Sequence, residues 1–533
     1  MLPRLGDLSL DEKIGQLFVP GATGTYMNAT SVAYERLERF VREQHVGGII
    51  WFVSNVLETA FLNRRLQAAA RVPLLISADL EAGMGMRFID TTYWPPAMAI
   101  AATGDPSFAE RAGRAVAIEA RAVGVNHILA PVCDVNVNPD NPVINARSFG
   151  EDPHEVARYT NAFIRGVQRE GLLATAKHFP GHGDTHVDSH RSLPTLEVSR
   201  ERLERVELVP FRAAIEEGVA SVMVGHLAVP ALDDSGAPAT VSVEIIDGLL
   251  RRELGFQGLV VSDAFDMGGL TERFTPGEAA VRAVAAGEDQ ILVSPDVDAA
   301  ISSVRAAVVT GHIPLARIDD AVGRILEAKS RVPFSVATDD EIFEIVESRE
   351  SRELAAEIAR RALTLVREGR GALPIARDAR VVMIVVSELA EAVSPLPEFE
   401  GEVRKRLTRA PEAFFLDANT SDASAALDAT SRADVVILAL AVRARSGAGT
   451  IAIPKLAREA ISRISRRTVA VSFGSPYLIS EIPKIETYLC AYGIQPPLQI
   501  AAAQALFSEI PITGKLPVTI AGIARRGDGI EKR

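Results

Sequence analysis

Leu259-Val260-Val261-Ser262 is a short run with no alternation between apolar and polar positions, and it stops at an acid, Asp263. Alternation would mark a strand with one wet face. Its absence marks a parallel strand covered on both sides. Seven further runs read the same way: residues 16–19, 48–53, 74–77, 126–130, 173–176, 221–224 and 290–293. Amphipathic helical stretches lie between them, such as 106–123 and 151–171. Eight β/α units within about 300 residues predict a (β/α)8 TIM-like barrel. An open doubly wound sheet is the alternative. The lack of a Gly-x-Gly-x-x-Gly after the early strands weakens a dinucleotide-binding version of it.

Polar residues gather where these runs end. Asp79 and Glu81 follow the third, Asp134 the fourth, Lys177 and His178 the fifth, His226 the sixth and Asp263 the seventh. In a barrel these ends share the face that carries active sites. Strand ends also carry ordinary loop polarity, so the argument rests on five ends converging.

Residues 333–340 read as a linker, and a helix is expected over about 340–367. A second α/β unit follows, with strands near 381–386, 435–440, 468–472 and 487–491. The expected division is a barrel over 1–335, a linker and connecting helix over 336–367, and an αβα sandwich over 368–533.

Composition narrows the function classes. The 533 residues carry 57 basic and 69 acidic side chains, a net charge of −12, which argues against a general nucleic-acid or anionic-membrane partner. No apolar run approaches the ~18 residues that suggest a membrane helix. Only two cysteines are present, Cys133 and Cys490, too few and too far apart for a disulfide framework or a zinc cluster. The start, Met1 to Asp7, shows no charged segment leading into an apolar one. The expectation is a cytoplasmic protein. Aromatic residues are 5%, which favours a small ligand over a polymer laid along an aromatic platform.

The densest chemistry is Lys177-His178-Phe179-Pro180-Gly181-His182-Gly183-Asp184-Thr185-His186-Val187-Asp188-Ser189-His190, a loop by its Gly and Pro content. Three readings compete. His182, Asp184, His186, Asp188 and His190 alternate and could suggest a metal, but alternate residues on an extended segment share a face without wrapping an ion. Asp188 and His190 are close enough for the carboxylate to fix the imidazole tautomer and raise its pKa, as acid/base chemistry requires. The third reading is a solvated polar loop. Asp263, ending a buried strand, is a candidate nucleophile or base; a helix N-cap is the plain alternative, and Asp266 fits that cap at least as well. Arg147, before Gly150 and the acidic start at Glu151, could clamp a ligand hydroxyl or an internal carboxylate.

Lys177 to His190 resembles the signature of bacterial β-N-acetylglucosaminidases in glycoside hydrolase family 3. Leu10-Asp11-Glu12-Lys13-Ile14-Gly15-Gln16-Leu17, Pro95-Pro96-Ala97-Met98-Ala99, Arg147 to Pro153 and Ser262-Asp263 are similar to other family pieces in order and spacing. Gly514-Lys515-Leu516-Pro517-Val518 is similar to its closing motif. The resemblance implies a barrel followed by an αβα sandwich, with no metal or cofactor. It implies Asp263 as nucleophile, His190 with Asp188 as general acid then base, and Asp79, Arg87, Arg147, Lys177 and His178 around the sugar. The implied substrate is a small-molecule β-N-acetylglucosaminide, from muropeptides or chitooligosaccharides, fitting peptidoglycan recycling. The second domain is left as a structural unit, a homodimer contact or a rim to the site. One stretch departs from the family pattern: in Asp79-Leu80-Glu81-Ala82-Gly83-Met84-Gly85-Met86-Arg87, Ala82, Met84 and Gly85 replace Gly, Arg and Val. That puts the local loop and the aglycone preference in doubt. A phosphorylase on the same residues and a non-catalytic sugar-binding protein are the competing functions, with a β-glucosidase and a metal-dependent hydrolase behind them.

Overall fold

The computed structural model describes residues 2–388, 393–417, 423–444, 447, 449–465 and 467–533. By contacts the chain forms two compact units. One comprises residues up to Thr92, Ala109–Val135 and Pro153–Ser351; the other comprises Tyr93–Phe108, Asn136–Asp152 and Arg352–Arg533.

The first unit holds nine short strands: β1 (Phe18–Val19), β2 (Gly21–Gly24), β3 (Gly48–Ser54), β4 (Leu75–Ala78), β5 (His127–Ile128), β6 (Leu173–Phe179), β7 (Ser221–Val224), β8 (Leu259–Ala264) and β9 (Gln290–Leu292). All pair in parallel, in the order β1-β9-β8-β7-β6-β5-β4-β3-β2. The two ends of that order, β1 and β2, are separated by Pro20 alone. Proline has no N–H to give the ladder, which breaks one strand into two. The Pro20 carbonyl still accepts from Ile50 N at 3.1 Å. Phe18 and Val19 pair with Ile291 and Leu292 on one side, and Gly21 pairs with Ile50 on the other. The sheet therefore closes on itself, and the architecture is the (β/α)8 barrel rather than the open sheet. β6, Leu-Ala-Thr-Ala-Lys-His-Phe, is buried at every position.

Local sequence explains where the surrounding helices begin. Thr275 accepts from Glu278 N with Pro276 at the first helical position, and Asp296 caps the next helix by accepting from Ala299 N. The single helix expected over 340–367 is instead two, Asp339–Ile345 and Arg349–Ala362. The break is at Val346, which is extended, and Glu347, whose φ is +56°.

The second unit is an αβα sandwich. Among the described residues its strands are β10 (Thr364–Arg367), β11 (Val381–Ser387), β12 (Glu412–Leu416), β13 (Val435–Ala441), β14 (Thr468–Ser472) and β15 (Thr487–Cys490), ordered β10-β15-β14-β13-β11-β12. Only β10 is antiparallel to its neighbour. β11, β13 and β14 are buried throughout. The helix Ala97–Ala102 contributes Met98, Ala99 and Ala102 to this core.

Candidate active site

The barrel strands deliver their polar residues in paired form. Lys177, near the end of β6, has a side chain only 2% exposed. Its ammonium lies 2.8 Å from Asp79 Oδ1 and 2.7 Å from Glu81 Oε1. The other Asp79 oxygen takes Arg87 Nη2 at 2.5 Å, and the Arg87 guanidinium lies over the Phe52 ring. Burial alone would push the Asp79 carboxyl up. Lys177 and Arg87 outweigh it and hold the group far below the usual carboxylate range.

The next residue, His178, sends Nδ1 to Asp134 Oδ2 at 2.8 Å. Asp134 also accepts from the backbone N–H of His182 at 2.6 Å. A carboxylate can only accept, so the His178 proton sits on Nδ1 and the ring orientation is fixed. One buried acid thus sets both the histidine at the strand end and the start of the loop that follows. Gly183 is required there: a Cβ at that position would lie 1.9 Å from the Val135 carbonyl oxygen.

Further along this loop, His190 Nδ1 lies 2.8 Å from Asp188 Oδ1, and the same oxygen takes His190 N at 2.9 Å. Asp188 is buried while the His190 side chain is 30% exposed. The loop is docked onto the turn after β8: Gly268 N donates to His190 O at 3.2 Å and Gly269 N to Ser189 O at 3.0 Å. A Cβ on Gly268 would come within 2.3 Å of the Arg191 carbonyl oxygen, so only glycine allows the approach.

Asp263 lies near the end of β8. It and Ala264 are the only partly exposed residues of that strand. Asp263 Oδ1 accepts from Ala264 N at 2.8 Å. Burial raises its carboxyl; His178, His226, the Ala264 N–H and His190 together hold it below the usual range. His226 is fixed as well. Its Nε2 lies 2.9 Å from the Ala264 carbonyl, which only accepts, so Nε2 carries the proton and Nδ1 accepts from Thr240 Oγ1 at 2.9 Å. Burial pushes this imidazole down, towards its neutral form.

The structure thus joins Asp79, Arg87 and Lys177 in one ion-paired group, pairs Asp188 with His190, and sets His178 and His190 in the field of Asp263. Arg147 belongs to the second unit, where it ends the 3-10 turn Asn145–Arg147 and donates to Val143 O at 3.1 Å. The sequence shows Glu81, Asp134 and His226 as strand-end polar residues but gives them no partners. Gly268–Gly269 carry no signal at all, because their part is played through the backbone. The alternating loop residues are engaged separately: His182 with Thr185 and Ser189, Asp184 with Arg202, Asp188 with His190. Among the described residues no three His, Cys, Asp or Glu side chains are grouped to hold a metal ion.

Residues 9–328 match the glycosyl hydrolase family 3 N terminal domain. The chain belongs to glycosyl hydrolase family 3. A β-N-acetylglucosaminidase/β-glucosidase of Cellulomonas fimi is 34% identical over 539 residues, which is 96% of this chain and 94% of that protein. The solved structure of a family 3 β-N-acetylglucosaminidase from Paenibacillus sp. str. FPU-7 superposes with a TM-score of 0.86 at 33% identity, covering 96% of this chain and 99% of that one. A β-glucoside phosphorylase bound to 2FGlc gives a TM-score of 0.87 at 26% identity, covering 97% and 95%. As a family 3 member the chain is a glycoside hydrolase, an enzyme acting on a small glycoside. No helix among the described residues is long and apolar enough to cross a membrane.

Proposed function

We propose that this chain is a retaining exo-β-N-acetylglucosaminidase that releases terminal β-linked N-acetylglucosamine from muropeptides or chitooligosaccharides in the cytoplasm. The observation that carries the reading is the Asp188–His190 pair at 2.8 Å, on a loop whose carbonyls bond the turn directly after the Asp263 strand. That arrangement offers two chemically distinct groups to one glycosidic bond.

Asp263, kept ionised, attacks the anomeric carbon. His190 protonates the leaving oxygen, and a glycosyl–aspartate ester forms. His190, now neutral, takes a proton from water as the water attacks the anomeric carbon on the face opposite Asp263, and the Asp263 carboxylate leaves. Two inversions return the β configuration. Asp188 holds Nδ1 protonated, which leaves Nε2 as the nitrogen that gives and takes the proton. Asp79, Arg87, Lys177 and His178 hold the sugar hydroxyls. The charges of Asp79, Arg87 and Lys177 are already paired before substrate arrives, so little reorganisation is needed at the transition state.

A second reading has its own support in the likeness to the β-glucoside phosphorylase. An imidazole in place of the usual second carboxylate does not repel a phosphate dianion, so phosphate could replace water at the second step. The test is turnover of an aryl β-N-acetylglucosaminide with and without inorganic phosphate, with the sugar product followed by NMR and Asp263→Asn as control. Free sugar released first as the β anomer in both conditions supports hydrolysis with retention. The 1-phosphate as main product converts the reading to phosphorolysis. An α first product, or an Asp263→Asn variant as active as the wild type, overturns the mechanism.

A further inference from the structure

The segment after the loop supplies a contact that neither step of the reaction uses. Arg202 lies in the short helix Arg200–Arg205, which starts under the Ser199 cap. Its Nη2 lies 3.0 Å from Glu207 Oε1 and 3.3 Å from Asp184 Oδ2. Asp184 belongs to the loop that carries Asp188 and His190. Glu207 stands in the turn that opens the helix Leu208–Glu216 of the barrel unit, and its side chain is 1% exposed. The root of the loop rests on the same residue: Gly181 has a φ of +131°, and a Cβ there would sit 2.8 Å from Glu207 Cβ.

One nitrogen of Arg202 serves both acids. Its Nε is buried without a hydrogen-bond partner among the described residues, and so is Glu207 Oε2. An orphaned donor and an orphaned acceptor therefore belong to one ion pair. If the guanidinium turned edge-on to Glu207, Nε and Nη2 would meet both carboxylate oxygens, the bidentate geometry that arginine favours. That turn takes Nη2 away from Asp184.

We propose that Arg202 is a positioning residue that ties the Asp188–His190 loop to the barrel by bridging Asp184 to Glu207, and unties it by turning into a bidentate pair with Glu207. The inference rests on the proposed role of that loop. It explains why the longer of the two contacts is the one made to the loop. It also explains why an arginine suits the position better than a lysine, whose single ammonium can bridge two acids but cannot form the edge-on pair.

Two readouts on the full chain test it: amide hydrogen exchange of residues 183–191, and steady-state turnover of an aryl β-N-acetylglucosaminide. Arg202→Met and Asp184→Asn both speed exchange in the loop. They lower kcat roughly 10-fold, as a misplaced acid/base group does. KM stays within about twofold, because the sugar-holding residues are untouched. Asp184→Asn alters a partly exposed group and leaves the Arg202–Glu207 pair intact, so it serves if Arg202→Met fails to fold. Arg202→Lys keeps loop exchange at or below the wild-type rate. Unchanged loop exchange in Asp184→Asn, or faster exchange with unchanged kcat, overturns the proposal. Full turnover by His190→Ala would instead overturn the role of the loop, whatever the exchange data show.

Discussion

Strand β6 of the barrel and strand β11 of the sandwich are both seven residues long and buried at every position. The first reads Leu-Ala-Thr-Ala-Lys-His-Phe and the second Val-Val-Met-Ile-Val-Val-Ser. The contrast extends to the units they belong to. Among the described residues, every charged or imidazole side chain less than a tenth exposed lies in the barrel unit, including Asp134, Lys177, His178, Asp188, His226 and Asp289. The buried polar residues of the sandwich unit are neutral amides and hydroxyls, such as Asn136, Ser472 and Gln499. Burying a charge costs several kcal/mol unless it is paired. The barrel bears that cost repeatedly, in part at the strand ends where Asp134, Lys177, His178 and His226 stand. Among the described residues the sandwich buries charged atoms only on partly exposed side chains, such as Glu388 and Arg443. Buried charge is thus concentrated in the unit that holds the candidate site and scarce in the one that is built for packing.

The sharpest way to break this contrast is to remove one charge without changing shape. Asp263→Asn is expected to lower kcat/KM by roughly 10⁴-fold, the scale of losing a residue that acts in a catalytic unit. The melting temperature should stay near that of the wild type, since the amide keeps an oxygen for Ala264 N. A variant that melts much earlier would mean that Asp263 is structural.

Lys177→Met is the next largest change. It leaves Asp79 without one of its two cations and Glu81 without the one shown for it. Breaking a buried pair in this way costs about 3–5 kcal/mol, read as a shifted urea midpoint, with turnover lost as well. A midpoint within experimental error of the wild type would show that the paired charges are less buried than their positions imply.

The third change reads the same cost through pH. Glu119 is 1% exposed, and burial pushes its carboxyl up to about 7 despite hydrogen bonds from Thr92 and Glu347 N. A folded-state pKa raised above the unfolded value gives stability that is complete below about pH 4.5 and lost as pH rises through about 7. Glu119→Gln has no proton to lose. Relative to this variant, the wild type should lose on the order of 2–3 kcal/mol between pH 4.5 and 8. Parallel stability curves for the two proteins would remove Glu119 from the buried charges. Asp79 and Asp263 have the opposite sign: their stabilisation is present above about pH 4 and lost in stronger acid.

How much of this was legible follows from the same physics. Buried parallel strands announce themselves by the absence of alternation, so all eight barrel runs could be read directly. The exposed edge strand Glu412–Leu416 and the four-residue antiparallel strand Thr364–Arg367 lack that signal. The helix expected over 340–367 absorbs the second, because Arg349–Ala362 runs almost into it. In the site, Asp188, His190 and Asp263 stand in short contiguous motifs. The partners that orient the other groups come from different strands: Asp134 is 44 residues from His178, and Asp79 is 98 from Lys177. Pairing of the neighbouring strands β4, β5 and β6 brings them together, and spacing along the chain carries no trace of it.

The sandwich should answer the smallest change in the opposite way from the barrel. Tyr492 is buried at 1% exposure, and its hydroxyl donates to Thr364 Oγ1 at 2.7 Å. Thr364 in turn donates to Ala362 O at 2.9 Å, so Tyr492→Phe leaves no buried donor orphaned. The loss should be about 0.5–1.5 kcal/mol, the net worth of one neutral hydrogen bond. Neither kcat nor KM should move. A shift in the pH profile or in kcat from this neutral, buried change would mean that the sandwich reaches the chemistry after all. The division by buried charge would then mark only where the reacting groups are anchored, and not which unit controls them.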